Sequence, residues 1–101
     1  MSWASFYIEK LKNNETISFR PRGNSMTGKI SSGDLVTLEP IKESSILEKG
    51  NIVLCSVNGH HYLHLITAVK DGRYQISNNH GHVNGWCGLK QIFGVCVKVE
   101  P

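Results

Sequence analysis

Long hydrophobic stretches are absent from this sequence of 101 residues. No apolar run approaches the roughly 20 residues that a membrane-spanning helix needs. The first residues, MSWASFYIEKLKNN, also lack the basic start and the long apolar segment of a signal peptide. We therefore expect a soluble protein in the cytoplasm with no membrane partner.

Cysteine and charge of one sign are also scarce. The three cysteines are odd in number and show no CxxC spacing, which argues against a disulfide framework and favours a reducing compartment. The formal net charge of +3 is mild, and no lysine and arginine cluster exceeds two or three residues, so nucleic acid is not a predicted partner.

Metal-binding motifs are missing as well. The chain has no HExxH or CxxC motif, and two of its histidines are adjacent, so they point to opposite sides of a strand. The available ligands are His60, His61, His64, His80, His82 and Cys87. We predict neither a metal nor a cofactor.

The residues that are present predict one mostly β domain over 1–101, with an N-terminal helix in 1–14 and a β domain in 16–99. The helix follows from aromatic and aliphatic residues at helical spacing in 2–13, with Ser2 as its cap. Hairpin turns are predicted at NG (58–59) and KDGR (70–73), and 44–51 reads as a helical turn followed by a Gly-Asn turn. The segment 78–88 reads as a loop. Strands are predicted at 16–21, 34–40, 52–57, 61–69, 74–77 and 92–99.

The most distinctive stretch is RGNSMTGKISSGDLV (22–36), in which Ser25 lies between a glycine-containing turn and a methionine. A serine hydroxyl is a weak nucleophile unless a base accepts its proton. His64 lies in a predicted strand, on the same face as Tyr62 and Ile66, and is a candidate base. The alternative is a loop serine and a half-buried histidine that bonds a backbone carbonyl.

The order of motifs resembles the S24/S26 superfamily, which contains the LexA-type repressors and the signal-peptidase-like serine proteases. The similar segments are GNSMTGKISSGDLVTLEP, LEKGNIVLCSV and HYLHLITAV, followed by a loop rich in Asn and Gly. The resemblance implies a small β-barrel-like fold, with Ser25 as nucleophile and its N–H in an oxyanion hole. It places His64 at the base position, where many members have lysine and some signal peptidases have histidine.

The sequence departs from the family pattern at three places. Thr27-Gly28 stands where a proline is common, and Leu65 follows His64 where the signal peptidases with a histidine base usually have arginine. The segment SNNHGHVNGW contains no carboxylate to orient the histidine; His80 stands at about that place, with three asparagines nearby. An asparagine can orient an imidazole, as in Cys-His-Asn sites.

Two functions remain open from the sequence. One is a peptidase in which a Ser25-His64 dyad hydrolyses a peptide bond in trans, since the 24 residues before Ser25 are too few for a DNA-binding domain and a linker. The other is an inactive relative that binds a nucleotide-like small molecule or a protein partner, for example in phage or mobile-element regulation or counter-defence. The oligomeric state is open, a dimer included. The predicted binding residues are Arg20, Arg22, Asn24, Met26, Asn78, Asn79, His80, Asn84 and Trp86.

Overall fold

The computed structural model describes residues 2–101. One short helix precedes seven strands, and a 3-10 turn at Leu89–Gln91 leads into the last strand. The elements are α1 (Ser5–Lys12), β1 (Ile17–Phe19), β2 (Leu35–Pro40), β3 (Ile52–Val57), β4 (His60–Lys70), β5 (Arg73–Ser77), β6 (Val83–Gly88) and β7 (Ile92–Glu100). The predicted mostly β fold with one N-terminal helix is confirmed.

The strands form one antiparallel sheet in the order β1-β2-β7-β3-β4-β5-β6. The sheet is open, because β1 and β6 are each paired on one side only. Although β6 is three positions away from β3 in the sheet, the two strands are in contact. The predicted barrel-like shape therefore takes the form of an open sheet that curls until β6 meets β3.

The sheet buries apolar side chains on both of its faces. Leu54 of β3 packs in a cluster with α1, whereas Val53 and Cys55 on either side of it pack in a second cluster with β6. This alternation is the period of two that an extended strand imposes. Because each buried aliphatic side chain contributes about 1.5–3 kcal/mol, the two clusters together stabilise the curled sheet.

The two predicted hairpin turns are confirmed. Asn58 and Gly59 have φ values of 50° and 83°, and Asp71 and Gly72 have φ values of 52° and 72°. Two consecutive positive φ values define the type I′ turn, which matches the twist of the flanking strands. These turns fix the register of β3 with β4 and of β4 with β5.

The helix is shorter than predicted. It begins at Ser5, with Ala4 as N-cap residue and no capping side chain. The Ser2 backbone N–H donates to Ser5 Oγ at 3.1 Å, and the Ser5 N–H donates to the Ser2 carbonyl at 3.2 Å. These bonds close a turn before the helix, so Ser2 is not its N-cap.

Two further sequence predictions are wrong. No helical turn forms in 44–51, because the side chains of Ser45 and Asn51 accept bonds from Lys42 and Glu48 and close two separate turns. The segment predicted as a loop at 78–88 contains β6. Its glycines and asparagines have low strand propensity, and pairing with β5 overrides that preference.

Among residues 2–101, no helix is both long enough and apolar enough to cross a membrane.

Candidate active site

Ser25 lies on the connection between β1 and β2, in a compact turn that exposes it to solvent. The Thr27 N–H donates to the Asn24 carbonyl at 3.2 Å, and the Ile30 N–H donates to the Met26 carbonyl at 2.8 Å. The Met26 side chain is 5% exposed and anchors the turn in the core. The turn therefore exposes the Ser25 hydroxyl to solvent, while the buried Met26 side chain fixes the turn to the core.

His64 lies in the middle of β4 and is only 8% exposed. It pairs with Val53 across the sheet, and its ring stacks on that of Tyr62, with 5.0 Å between centroids. Its Nε2 atom is 3.1 Å from Ser25 Oγ. The sheet therefore places a buried imidazole within hydrogen-bond distance of an exposed hydroxyl.

Asn84 reaches the same histidine from β6. Its Oδ1 atom is 2.7 Å from His64 Nδ1. In the pairing of β5 with β6, Ile76 faces Gly85 and Ser77 faces Val83, so Asn84 is the extra residue of a β-bulge. A bulge redirects a side chain away from the regular alternation of its strand. At this bulge the side-chain amide of Asn84 points toward His64.

The two hydrogen bonds of His64 define its tautomer. The Asn84 carbonyl oxygen only accepts, so Nδ1 of the neutral ring carries the hydrogen and Nε2 offers its lone pair to the Ser25 hydroxyl. Burial lowers the pKa of His64 below its ordinary value; the bond with Asn84 opposes that shift, and nearby His82 adds to it. The ring is therefore held neutral, which is the form that can accept a proton.

Three hydrogen bonds connect the segment 78–82 to carbonyl oxygens of the serine turn. The Asn79 backbone N–H donates to the Ser25 carbonyl at 2.8 Å, and the Asn79 side chain donates to the Thr27 carbonyl at 2.8 Å. His80 Nε2 donates to the Asn24 carbonyl at 2.7 Å. Asn78 Oδ1 accepts from the backbone N–H groups of His80 and His82, which shapes the segment itself.

A cleft with a volume of about 480 Å³ opens beside Ser25 and His64. It runs from the serine turn past the first half of β4 to the start of α1. Its volume falls in the range of about 300–1,000 Å³ that is usual for ligand-binding clefts. The cleft can receive an extended ligand next to the serine.

Apart from Ser25, His64 and Asn84, the predicted site residues fall into three groups. Arg22 and Met26 line the cleft, as does Arg20, whose guanidinium also donates to the Gly33 carbonyl at 2.8 Å. Four residues shape or support the serine turn: Asn24, Asn78, Asn79 and His80. Trp86 is on β6, 39% exposed, and lies outside the lining of this cleft.

His80 does not contact the catalytic histidine candidate, although the sequence places it near the position of an orienting residue. Its ring bonds the Asn24 carbonyl, and Asn84 contacts His64 instead. The cleft lining also contains residues that the sequence does not single out as site residues, among them Trp3, Tyr7, Phe19 and His61. The helical spacing of Trp3 and Tyr7 is a sequence signal for a packed helix, and that spacing alone does not distinguish core packing from the wall of a cleft.

None of the three cysteines lines the cleft beside Ser25. Cys55 and Cys87 are buried and in contact between β3 and β6, and the Cys87 thiol together with burial raises the pKa of Cys55. All three cysteines are free. Within residues 2–101, no three side chains of His, Cys, Asp or Glu come together to hold a metal ion.

Serine hydrolases of unrelated folds use a hydroxyl, an imidazole and a third group in hydrogen-bonded series. The fold and the site therefore define a curled β-sheet protein with an arrangement of the serine-hydrolase type. A sequence profile described as Peptidase S24-like matches residues 3–96. The chain belongs to this family, which confirms the resemblance noted from the sequence motifs. A search among curated proteins found no match.

Proposed function

We propose that the protein is a serine peptidase that cleaves a peptide bond of another molecule. Ser25 is the nucleophile, His64 is the general base and acid, and Asn84 is a positioning residue. The observation that carries the proposal is the hydrogen-bonded series from Ser25 Oγ to His64 Nε2 and from His64 Nδ1 to Asn84 Oδ1. It occurs in a chain of the Peptidase S24-like family.

In the proposed reaction, His64 Nε2 takes the proton of Ser25 Oγ while that oxygen attacks the substrate carbonyl carbon. The imidazolium then gives this proton to the amine as the carbon–nitrogen bond breaks, which leaves an acyl-serine. Water, deprotonated by His64, hydrolyses the ester and restores the serine hydroxyl. Asn84 holds the ring in the required tautomer throughout.

The negative charge on the substrate oxygen needs hydrogen-bond donors during attack. The backbone N–H groups of Ser25 and Met26 donate to no acceptor among residues 2–101. They belong to the turn that presents the nucleophile, so we assign the oxyanion hole to one or both of them. The bonds from segment 78–82 go to carbonyl oxygens of the same turn and leave these N–H groups free.

A peptide from another molecule can reach the serine, because no segment of residues 2–101 fills the cleft beside it. The family also fits a peptide or protein substrate. The location in the cell and the oligomeric state stay predictions.

The test is labelling with a fluorophosphonate probe, followed by mass spectrometry of the intact protein. We expect a covalent adduct on Ser25 of the wild type and none on Ser25→Ala. His64→Ala should react about 10²–10⁴-fold more slowly, since general base catalysis contributes that much. Ser44→Ala is the matched control, because Ser44 is an exposed serine outside the cleft and should leave labelling unchanged.

Absence of labelling by any such probe would contradict the peptidase proposal. It would favour the second candidate, an inactive relative that uses the same cleft to bind a ligand. The observation behind that candidate is the uncharged third residue, because Asn84 stabilises an imidazolium less than a carboxylate does.

A further inference from the structure

One wall of the cleft is aromatic and comes from the start of the chain and from β1. The Tyr7 ring stacks on Phe19 with 4.1 Å between centroids, and the Trp3 ring centroid is 6.2 Å from that of Phe19. Phe19 is only 8% exposed, whereas Trp3 is 52% exposed. The inner two rings thus form a fixed base, and Trp3 offers its surface to a ligand.

The segment that carries Trp3 is tied to the strand that carries His64. Ser2 Oγ is hydrogen-bonded to His61 Nδ1, and His61 itself lines the cleft. Trp3 is therefore held between this bond on one side and α1 on the other. A side chain that is fixed before binding loses less conformational freedom when a ligand packs on it.

The cleft is also positively charged. Arg20 and Arg22 are the charged residues of its lining, and no carboxylate of residues 2–101 belongs to that lining. Arg20 already donates to the Gly33 carbonyl. The Arg22 guanidinium makes no hydrogen bond or ion pair with residues 2–101, and it lies three residues before the nucleophile. A guanidinium that has no other partner can bind a carboxylate with two hydrogen bonds.

Resting on the peptidase activity proposed above, we propose that the cleft selects peptides with two features near the scissile bond. A bulky apolar side chain, aromatic above all, packs on Trp3, and an acidic side chain pairs with Arg22. Trp3 and Arg22 are then specificity-determining residues for the reaction at Ser25. A peptide is favoured over a nucleotide because the cleft opens directly on a hydroxyl and an imidazole that are suited to attack on a carbonyl.

The test uses a synthetic library of random ten-residue peptides and the Ser25→Ala variant, which binds without cleaving. Peptides retained on the immobilised variant are sequenced. We expect enrichment of roughly fivefold or more for Phe, Trp, Tyr or Leu and for Asp or Glu, a ratio that corresponds to one good contact. No retention, or retention without these residues, would overturn the inference.

Two pairs of variants, each made in the Ser25→Ala background, assign the contacts. Trp3→Ala should lose the aromatic enrichment, and Phe6→Ala should keep it, because Phe6 is an exposed ring of α1 outside the cleft. Arg22→Gln should lose the acidic enrichment, and Arg73→Gln should keep it, because Arg73 lies on β5 away from the cleft. If Trp3→Ala and Phe6→Ala show the same aromatic enrichment, the assignment of Trp3 is overturned. If Arg22→Gln and Arg73→Gln show the same acidic enrichment, the assignment of Arg22 is overturned.

Two further measurements separate this inference from the proposed function. Fluorophosphonate labelling of Ser25 without peptide selectivity would overturn the inference alone. Selectivity without labelling would overturn the peptidase and leave only the binding preference of the cleft. The second measurement is the binding of adenosine diphosphate to Ser25→Ala. If this variant retains no peptide but binds the nucleotide, and if Trp3→Ala and Arg22→Gln abolish that binding, the cleft is a nucleotide site and the peptide assignment is overturned.

Discussion

The groups in direct contact with the His64 ring are uncharged. Its ring contacts Tyr62, Ser25 and Asn84, and His82 is close enough to disfavour a second positive charge. Because burial is the main cause of its lowered pKa, His64 stays neutral below the pH at which an exposed histidine becomes protonated. Protonation removes the lone pair that accepts the Ser25 proton. Labelling of Ser25 should therefore decline at a lower pH than the one at which an exposed histidine titrates.

Asn84→Asp should change this pH dependence in a defined direction. A carboxylate in contact with the ring favours the imidazolium and raises the pKa of a histidine by about 1–3 units. The acid limb of the labelling rate should then move to higher pH. Above that limb the rate should rise about tenfold, because a charged partner stabilises the imidazolium that forms during attack.

The measurement is the rate of fluorophosphonate labelling against pH. Asn13→Asp provides the control, since it adds the same charge at an exposed position beyond α1 and should leave the profile in place. Superimposable profiles of wild type and Asn84→Asp would show that Asn84 does not act on His64.

The hairpin of β5 and β6 is the element that brings the third residue to the site. Next to Asn84, Gly85 has a φ of +143°, and a Cβ at this position would lie 2.9 Å from Val57 Cγ1 of β3. The absence of a side chain at Gly85 therefore permits β6 to lie against β3. We expect this close approach to help hold Asn84 against His64.

Gly85→Ala should consequently separate Asn84 from His64. The added methyl group must displace Val57 or β6, which should lower the free energy of unfolding by about 1–3 kcal/mol. Labelling of Ser25 should slow about fivefold, the equivalent of the ~1 kcal/mol of one hydrogen bond. Urea unfolding and the labelling rate measure the two effects.

Gly72→Ala is the matched control for this variant. Gly72 also has a positive φ, 72°, but a Cβ there would meet no heavy atom within 4 Å. It should cost stability through backbone strain while the labelling rate per folded molecule stays at the wild-type value. If both variants label at the same rate, the contact with Val57 does not position Asn84.

The sequence predicted those elements whose signals are local. The Asn58-Gly59 and Asp71-Gly72 turns depend on positive φ values, which these residue types adopt readily, and the apolar run of β3 reflects burial on both faces. β6 could not be found in this way, because its stability comes from pairing with β5 and from contact with β3. The bulge at Asn84 depends on that same register, so the sequence put His80 at about the orienting position and did not identify Asn84 as the residue that contacts His64.

At the scale of the whole molecule, α1 and the sheet form the two sides of the cleft. Leu11 is 3% exposed and packs over Gly94 of β7, where a Cβ would lie 2.8 Å from Leu11 Cδ1. Glycine at this position lets the helix approach the sheet closely. The position of the aromatic wall therefore depends on a contact outside the cleft.

Leu11→Ala should loosen α1 and lower the free energy of unfolding by about 2–5 kcal/mol, as for other buried leucines. The labelling rate per folded molecule should stay unchanged, because Ser25, His64 and Asn84 do not lie on the helix. Urea unfolding and probe labelling check the two statements. Glu9→Ala, at an exposed position of the same helix, should change stability by no more than about 0.5 kcal/mol.

Labelling that falls in Leu11→Ala by more than its unfolded fraction would contradict this separation of roles. It would mean that α1 supports the serine turn as well as the cleft wall.

The sequence separations within the site have a thermodynamic consequence. Ser25 is 39 residues from His64, and His64 is 20 residues from Asn84. Closing loops of these lengths costs about 3 kcal/mol of chain entropy each, whereas one hydrogen bond contributes a net ~1 kcal/mol. The three side chains cannot hold one another in place, and the sheet must do it for them. A change that loosens strand pairing should therefore separate Ser25 from His64 even when both side chains are intact.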